Sequence, residues 1–282
     1  MLAHAIRKFS LLLLLAFLFL PMCVLAQEKK VEVMTYDEYI KVRHPYPYIV
    51  EIQFGKGALL YYGAQHTNDP KHPQIAQIEE LWKKFRPTVA YNEGGNPPVL
   101  KSVDEAVSRI GEAGLVRYLA ARDKVPVFSL EPNQADEVAM LLRTYTPEQV
   151  KAFYALRQVP QYRNSKRSET IEDHLNFVLS KWLASIPGLE GAPNSVAELE
   201  KSCLWLSPRL QDWREVPQSW FDPTKSEAYT NQISRLSGEF RDRHMVRLLI
   251  DEVKQGKRVF AVVGGSHVVM QERVLKAELQ LK

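Results

Sequence analysis

The sequence predicts an α/β fold: a mostly parallel sheet flanked by helices, with a helical insertion acting as a cap. Three observations carry this. Strand-like and helix-like stretches alternate over residues 48–132. One more strand-like run, residues 258–263, closes the pattern near the C-terminus. The stretch between, about 146–222, reads as helical and belongs to neither. Strands that alternate with helices pair in parallel, with the helices on the sheet faces.

In chain order, Tyr48 to Phe54 and Ala58 to Tyr62 are apolar β-type runs around Gly55-Lys56-Gly57, a hairpin signal. The second run is expected to break at Gly63. A helix follows from about Pro73 to Phe85, where Ile75, Ile78, Leu81, Trp82 and Phe85 recur at spacings of three and four. Arg86-Pro87 stops it. Thr88 to Gly95 is a third strand ending on Glu93 and two glycines, and a helical region runs on to about Arg122. Val125 to Pro132 is a fourth strand and ends on Glu131. Thr146-Pro147-Glu148-Gln149 is a capping box with proline at the first helical position, and opens a helix to about Gln158. A further helix spans about Ile171 to Ser185. Residues 187–223 are rich in proline and tryptophan. A long helix from about Ser226 to Lys254 ends at Gly256, and Arg258 to Val263 is the last strand.

The N-terminus has its own signature. Arg7 and Lys8 precede the continuous apolar run Leu11 to Leu20, and Val24-Leu25-Ala26 offers small residues at a cleavage position. That is a secretory signal peptide over residues 1–26. Its removal takes the formal charge from +4 to +2 and leaves a single domain over residues 27–282. Cys23 raises a lipoprotein reading, but Met22 is a poor residue before a lipidated cysteine. The expectation is therefore an exported protein, periplasmic or extracellular, with no membrane span after cleavage. The near-neutral charge gives no support for nucleic-acid binding, which usually shows a clustered basic face. Cleavage would leave Cys203 alone, with no internal disulfide; its apolar surroundings suggest a small buried hydrophobe.

The candidate site comes from the strand ends. Gly63-x-x-His66 and Gly264-x-x-His267 repeat one pattern, and Glu93 and Glu131 end two further strands. Ligands of open parallel sheets bind beyond the carboxyl ends of the strands, so these side chains can converge. Two histidines and a carboxylate suit a divalent metal with an open coordination position. Read singly, each histidine is equally a hydrogen-bonded loop residue, and Glu93 or Glu131 a helix cap. Asp69, close after His66, is a supporting candidate. No Gly-x-Ser-x-Gly, phosphate loop or dinucleotide fingerprint is present.

The order Gly63-x-x-His66, strand-terminal Glu93, Arg241-Asp242-x-x-Met245 on a long helix, and Gly264-x-x-His267 resembles the TraB/PrgY/GumN and TIKI family. That family is related more loosely to ChaN-like haem-binding proteins and erythromycin esterases. Asp242 stands where the family usually has asparagine. The resemblance implies a metal-dependent hydrolase, peptidase-like, using manganese, cobalt or zinc. It assigns His66 and His267 as metal ligands, Glu93 as third ligand or general base, and Arg241 as the cation that stabilises developing negative charge. The substrate would be a peptide or small molecule. Haem or metal binding without turnover is the competing expectation. The tryptophans of the insertion, Trp205, Trp213 and Trp220, with Phe221, are candidates to line a groove over the site.

Overall fold

A computed structural model of the chain describes residues 32–163, 168–191, 193–206 and 212–280, and the side chains of 202–206 are not described. The signal segment, Cys203 and the side chain of Trp205 therefore lie outside the described residues. Residues from Glu32 onward form one compact unit. Among the described residues no helix is long and apolar enough to cross a membrane.

The short helix α1 (Tyr36–Tyr39) opens the unit, capped by Thr35 and Glu38. The hairpin follows: β1 (Tyr48–Phe54) pairs antiparallel with β2 (Gly57–Ala64) around Gly55, whose φ is +55°. β2 runs through Gly63 and ends one residue later, so the glycine does not break it. Then come α2 (Pro73–Phe85), β3 (Val89–Asn92), α3 (Val103–Ile110), α4 (Glu112–Asp123) and β4 (Val127–Ser129). Helix α2 has the bounds its periodicity predicts, and Arg86 ends it in a left-handed conformation. The insertion contains α5 (Gln134–Leu141), α6 (Pro147–Arg163), α7 (Ile171–Phe177) and α8 (Val196–Leu206). The helix expected over 171–185 changes winding after α7, to a π turn at Val178–Trp182 and a 3-10 turn at Leu183–Ser185. Helix α9 (Tyr229–Lys254) leads to β5 (Arg258–Gly264), which passes directly into α10 (Gly265–Gln280).

The sheet order is β1-β2-β5-β3-β4. All neighbours are parallel except the β1–β2 pair at the edge. The last strand of the chain thus sits in the middle of the sheet, between β2 and β3. Every residue of β2 is buried, because helices cover both faces. Leu59 and Tyr61 face a core shared with α9 and α10, while Leu60 and Tyr62 face one shared with α2 and α4.

The insertion has a third apolar core of its own, built from residues such as Phe153, Leu156, Leu179 and Leu199. Trp213 and Phe221 are buried in it, and Trp220 packs against it. These aromatics fill the insertion's interior instead of lining a groove, the cheapest outcome for large apolar side chains.

Candidate functional site

The two Gly-x-x-His segments meet because β2 and β5 are adjacent and parallel, with Ala64 opposite Gly264. His66 and His267 then leave neighbouring strands at nearly the same level. The glycines are steric requirements. A Cβ on Gly63 would lie 2.8 Å from the Cα of Gly265 and 2.8 Å from the carbonyl oxygen of Tyr48. One on Gly264 would lie 2.9 Å from His66 Nε2 and 3.3 Å from Glu93 Oε2. His267 is not in a loop after the strand: it occupies the first turn of α10 and is buried. Glu93 follows β3 directly, and Gly94 and Gly95 turn the chain away with φ of +83° and +81°.

Glu93 is the centre of the arrangement. His66 Nε2 lies 3.9 Å from its Oε2, and His267 Nε2 lies 3.5 Å from its Oε1. The backbone N–H of Gly264 donates to Oε2 at 2.6 Å, and Arg241 Nη2 donates to Oε1 at 2.7 Å. Arg241 also donates through Nε and Nη2 to the two oxygens of Glu131, both at 2.7 Å. Glu131 in turn accepts from the N–H of Gly94 at 3.1 Å. So Arg241 is neither solvated nor paired within its own helix; it ties two strand ends together from α9. Its Nη1 makes no hydrogen bond among the described residues.

The charges reinforce one another. Burial alone would raise the Glu93 carboxyl, but His267, Arg241 and His66 hold it well below the usual carboxylate range. Burial opposes charge on His267, yet Asp242 and Glu93 push that imidazole up to about 10. His66 is raised chiefly by Glu112, with Glu93 adding to it. The two histidines differ in access: 69% of the His66 side chain is exposed, against 8% for His267.

Two carboxylates contact the imidazoles without having been assigned a place in the site from sequence. Asp242, fully buried on α9, accepts from His267 Nδ1 and from Gln271 Nε2, both at 2.6 Å through Oδ1. Glu112, at the start of α4, has Oε2 3.6 Å from His66 Nδ1. The only sequence hint for Glu112 was its place after Gly111, whose φ of +77° starts the helix there. Asp69 does not join the cluster. Its Oδ1 accepts from the N–H of Lys71 in a turn, and the side chain borders a separate surface groove.

A cavity of about 260 Å³ lies beside Glu93. Its lining combines the polar side chains of His66, Glu93 and Glu112 with the apolar ones of Pro97, Ile110 and Ala113. None of its lining comes from the described residues of 146–222. The insertion reaches the site electrostatically through Arg157 of α6, which is depressed by burial and by Arg241 and feels Glu93.

The donor set has the residue types that bind a divalent metal. Two imidazole nitrogens face opposite oxygens of one carboxylate, and each ring has its other nitrogen beside a second carboxylate, the usual second contact of a metal-bound histidine. Donor atoms around a metal with bonds of about 2.1 Å stand roughly 3.4 Å apart, close to the separations here. Among the described residues, however, no three His, Cys, Asp or Glu side chains have their donors gathered about one point. The fit is therefore one of residue types and pairing. Compared with protein-family models, with curated proteins and with solved structures, the chain finds no match in any of the three.

Proposed function

We propose that this chain is an exported metal-dependent hydrolase of the TraB/PrgY/GumN–TIKI type, acting on a peptide or a small acyl compound. The observation that carries the reading is Glu93 held between His66 and His267 with Arg241 on the same carboxylate, from segments up to about 200 residues apart. A purely structural ion pair needs one partner, not two histidines and an arginine around a strand end.

His66 and His267 would hold the metal through Nε2, with Glu93 completing the set. When bound, a manganese, cobalt or zinc ion supplies a water that ionises near neutral pH and a Lewis acid for a carbonyl oxygen. Both oxygens of Glu93 already accept hydrogen bonds, which supports a ligand and anchor over a mobile proton acceptor. Glu131 fixes the Arg241 guanidinium by two hydrogen bonds and leaves Nη1 with donors for a developing oxyanion. Pro97, Ile110 and Ala113 would receive an apolar part of the substrate next to the reacting bond.

Metal analysis of the protein purified without a histidine tag tests this. One divalent transition metal per chain is expected, lost in His66→Ala and in His267→Ala. Glu93→Gln separates its two roles: loss of metal marks a ligand, and retained metal with lost turnover marks a base. Full occupancy in the double histidine variant overturns the site. A haem absorbance band that depends on His66, with no peptide or ester hydrolysis in any metal, replaces the reading by haem binding.

A further inference from the structure

We propose that Glu112 is the positioning residue of His66: it holds the ring proton on Nδ1 and so leaves Nε2 as the nitrogen with the free lone pair, facing Glu93. The geometry separates the two oxygens of Glu112 by task. Oε1 accepts from the backbone N–H of Thr67 at 2.8 Å and from Gln74 Nε2 at 2.5 Å. Gln74 in turn grips Gln65, accepting from its N–H at 3.0 Å and donating to its carbonyl at 2.6 Å. The residues on either side of His66 are thus pinned from α2 and α4 by one amide–carboxylate pair. Both side chains are buried, Gln74 3% and Glu112 6% exposed.

Oε2 of Glu112 has no part in that clamp. It stands 3.6 Å from His66 Nδ1, at ion-pair separation, and makes no hydrogen bond among the described residues. An ionised carboxylate only accepts. Glu93 Oε2 stands further from Nε2, at 3.9 Å, and already accepts from the Gly264 N–H, so a neutral ring keeps its proton on the Nδ1 side. Asp242 does the same for His267 at 2.6 Å. Where the rings are neutral, both Nε2 atoms are then presented to Glu93 in acceptor form. The consequence for metal rests on the functional reading above; the tautomer does not.

The direct measurement is a long-range ¹H–¹⁵N correlation spectrum of the metal-stripped chain with chelator, at an alkaline pH where His66 is neutral. The His66 signals are assigned by their loss in His66→Asn. The expected result is the Nδ1–H form. In Glu112→Gln the amide oxygen can keep the Thr67 and Gln74 bonds, while its NH₂ donates towards Nδ1. The tautomer should then switch to Nε2–H, and affinity for Zn²⁺ or Mn²⁺ should fall about 10–100-fold. A residue that only anchored the 65–67 backbone would leave the tautomer unchanged. An Nε2–H form in the wild-type chain overturns the proposal, as does an Nδ1–H form that survives Glu112→Gln. The wild-type spectrum decides even if that variant does not fold. A wild-type chain with the Nδ1–H form that binds no metal sustains this inference and removes the hydrolase reading.

Discussion

Arg241 is the residue on which the local charge balance turns. Its side chain is 15% exposed, and those of Glu93 and Glu131 are 20% and 22% exposed. Two carboxylates this close and this dry repel each other unless the guanidinium lies between them, and burial makes the lone charge costly. Arg241→Met should therefore lower the unfolding free energy by about 2–4 kcal/mol in urea titration, by leaving Glu131 without its cation and Glu93 with the two histidines alone. Arg241→Lys should recover only part of this, because an ammonium cannot make the paired contact to Glu131. A loss below about 0.5 kcal/mol for Arg241→Met would mean that the two acids are relieved by water. Gly264 makes a different kind of demand. The Cβ of Gly264→Ala meets the ends of His66 and Glu93, not backbone, so the chain should fold with little loss of stability. The imidazole must then move aside, and metal affinity should drop at least tenfold while the melting curve shifts little. A large loss of stability with metal binding intact would reverse that account.

At the level of elements, the strand ends were legible because two glycine–histidine repeats follow β-type runs. Parallel strands bring their carboxyl ends to one edge of the sheet, so the pattern allows His66, Glu93 and His267 to converge, but the strand order that makes them close is not written in it. The residues that orient them were not legible as such. Glu112 sits in a stretch legible only as a helical region, with nothing to show which loop it meets. Asp242 stands out in the sequence only as an acid where the family usually has asparagine, yet it is fully buried under His267. Asp69 illustrates the converse: closeness to His66 in sequence does not bring it to the site, because the chain turns on its own carboxylate there. Helix α10 follows β5 with no intervening loop residue, so no turn signal marks its start. The α2–α4 contact shows how a single pair registers in pH. The buried Trp82 donates its indole N–H to Asp123 Oδ2 at 2.8 Å, and Arg122 holds the same carboxyl at about 2. A depressed carboxyl contributes stability above its unfolded value, about 3.9, and loses it as pH falls through about 2. Asp123 is 39% exposed, so the contribution is below about 1 kcal/mol. Acid titration of Asp123→Asn should show a shallower loss of stability between pH 4 and 2 than the parent, and an identical slope would dismiss the pair.

For the whole molecule, α9 is the element that makes one body of two cores. Its first half contributes Ile233 to the insertion's core, together with Tyr229 and Leu236 at the edge. Its second half contributes Met245, Leu249 and Val253 to the sheet's core. Arg241 and Asp242 fall between, where neither apolar cluster claims the helix face, and that is the stretch that meets the strand ends. The site is thus built where α9 passes from one core to the other, and the insertion need not cover the cavity to influence it. Ile233→Ala and Leu249→Ala each remove a fully buried side chain and should each cost about 2–5 kcal/mol locally. They should differ in where the cost is felt. With separate cores, Ile233→Ala should accelerate amide exchange in α6 and α7 while β2 and β5 keep their protection. Leu249→Ala should weaken protection in β2 and β5, and with it the hold on His66 and His267, so metal affinity falls along with stability. If Ile233→Ala instead loosened β2 and β5 as much as α6, the two cores would unfold as one unit, and α9 would transmit every change in the insertion to the site.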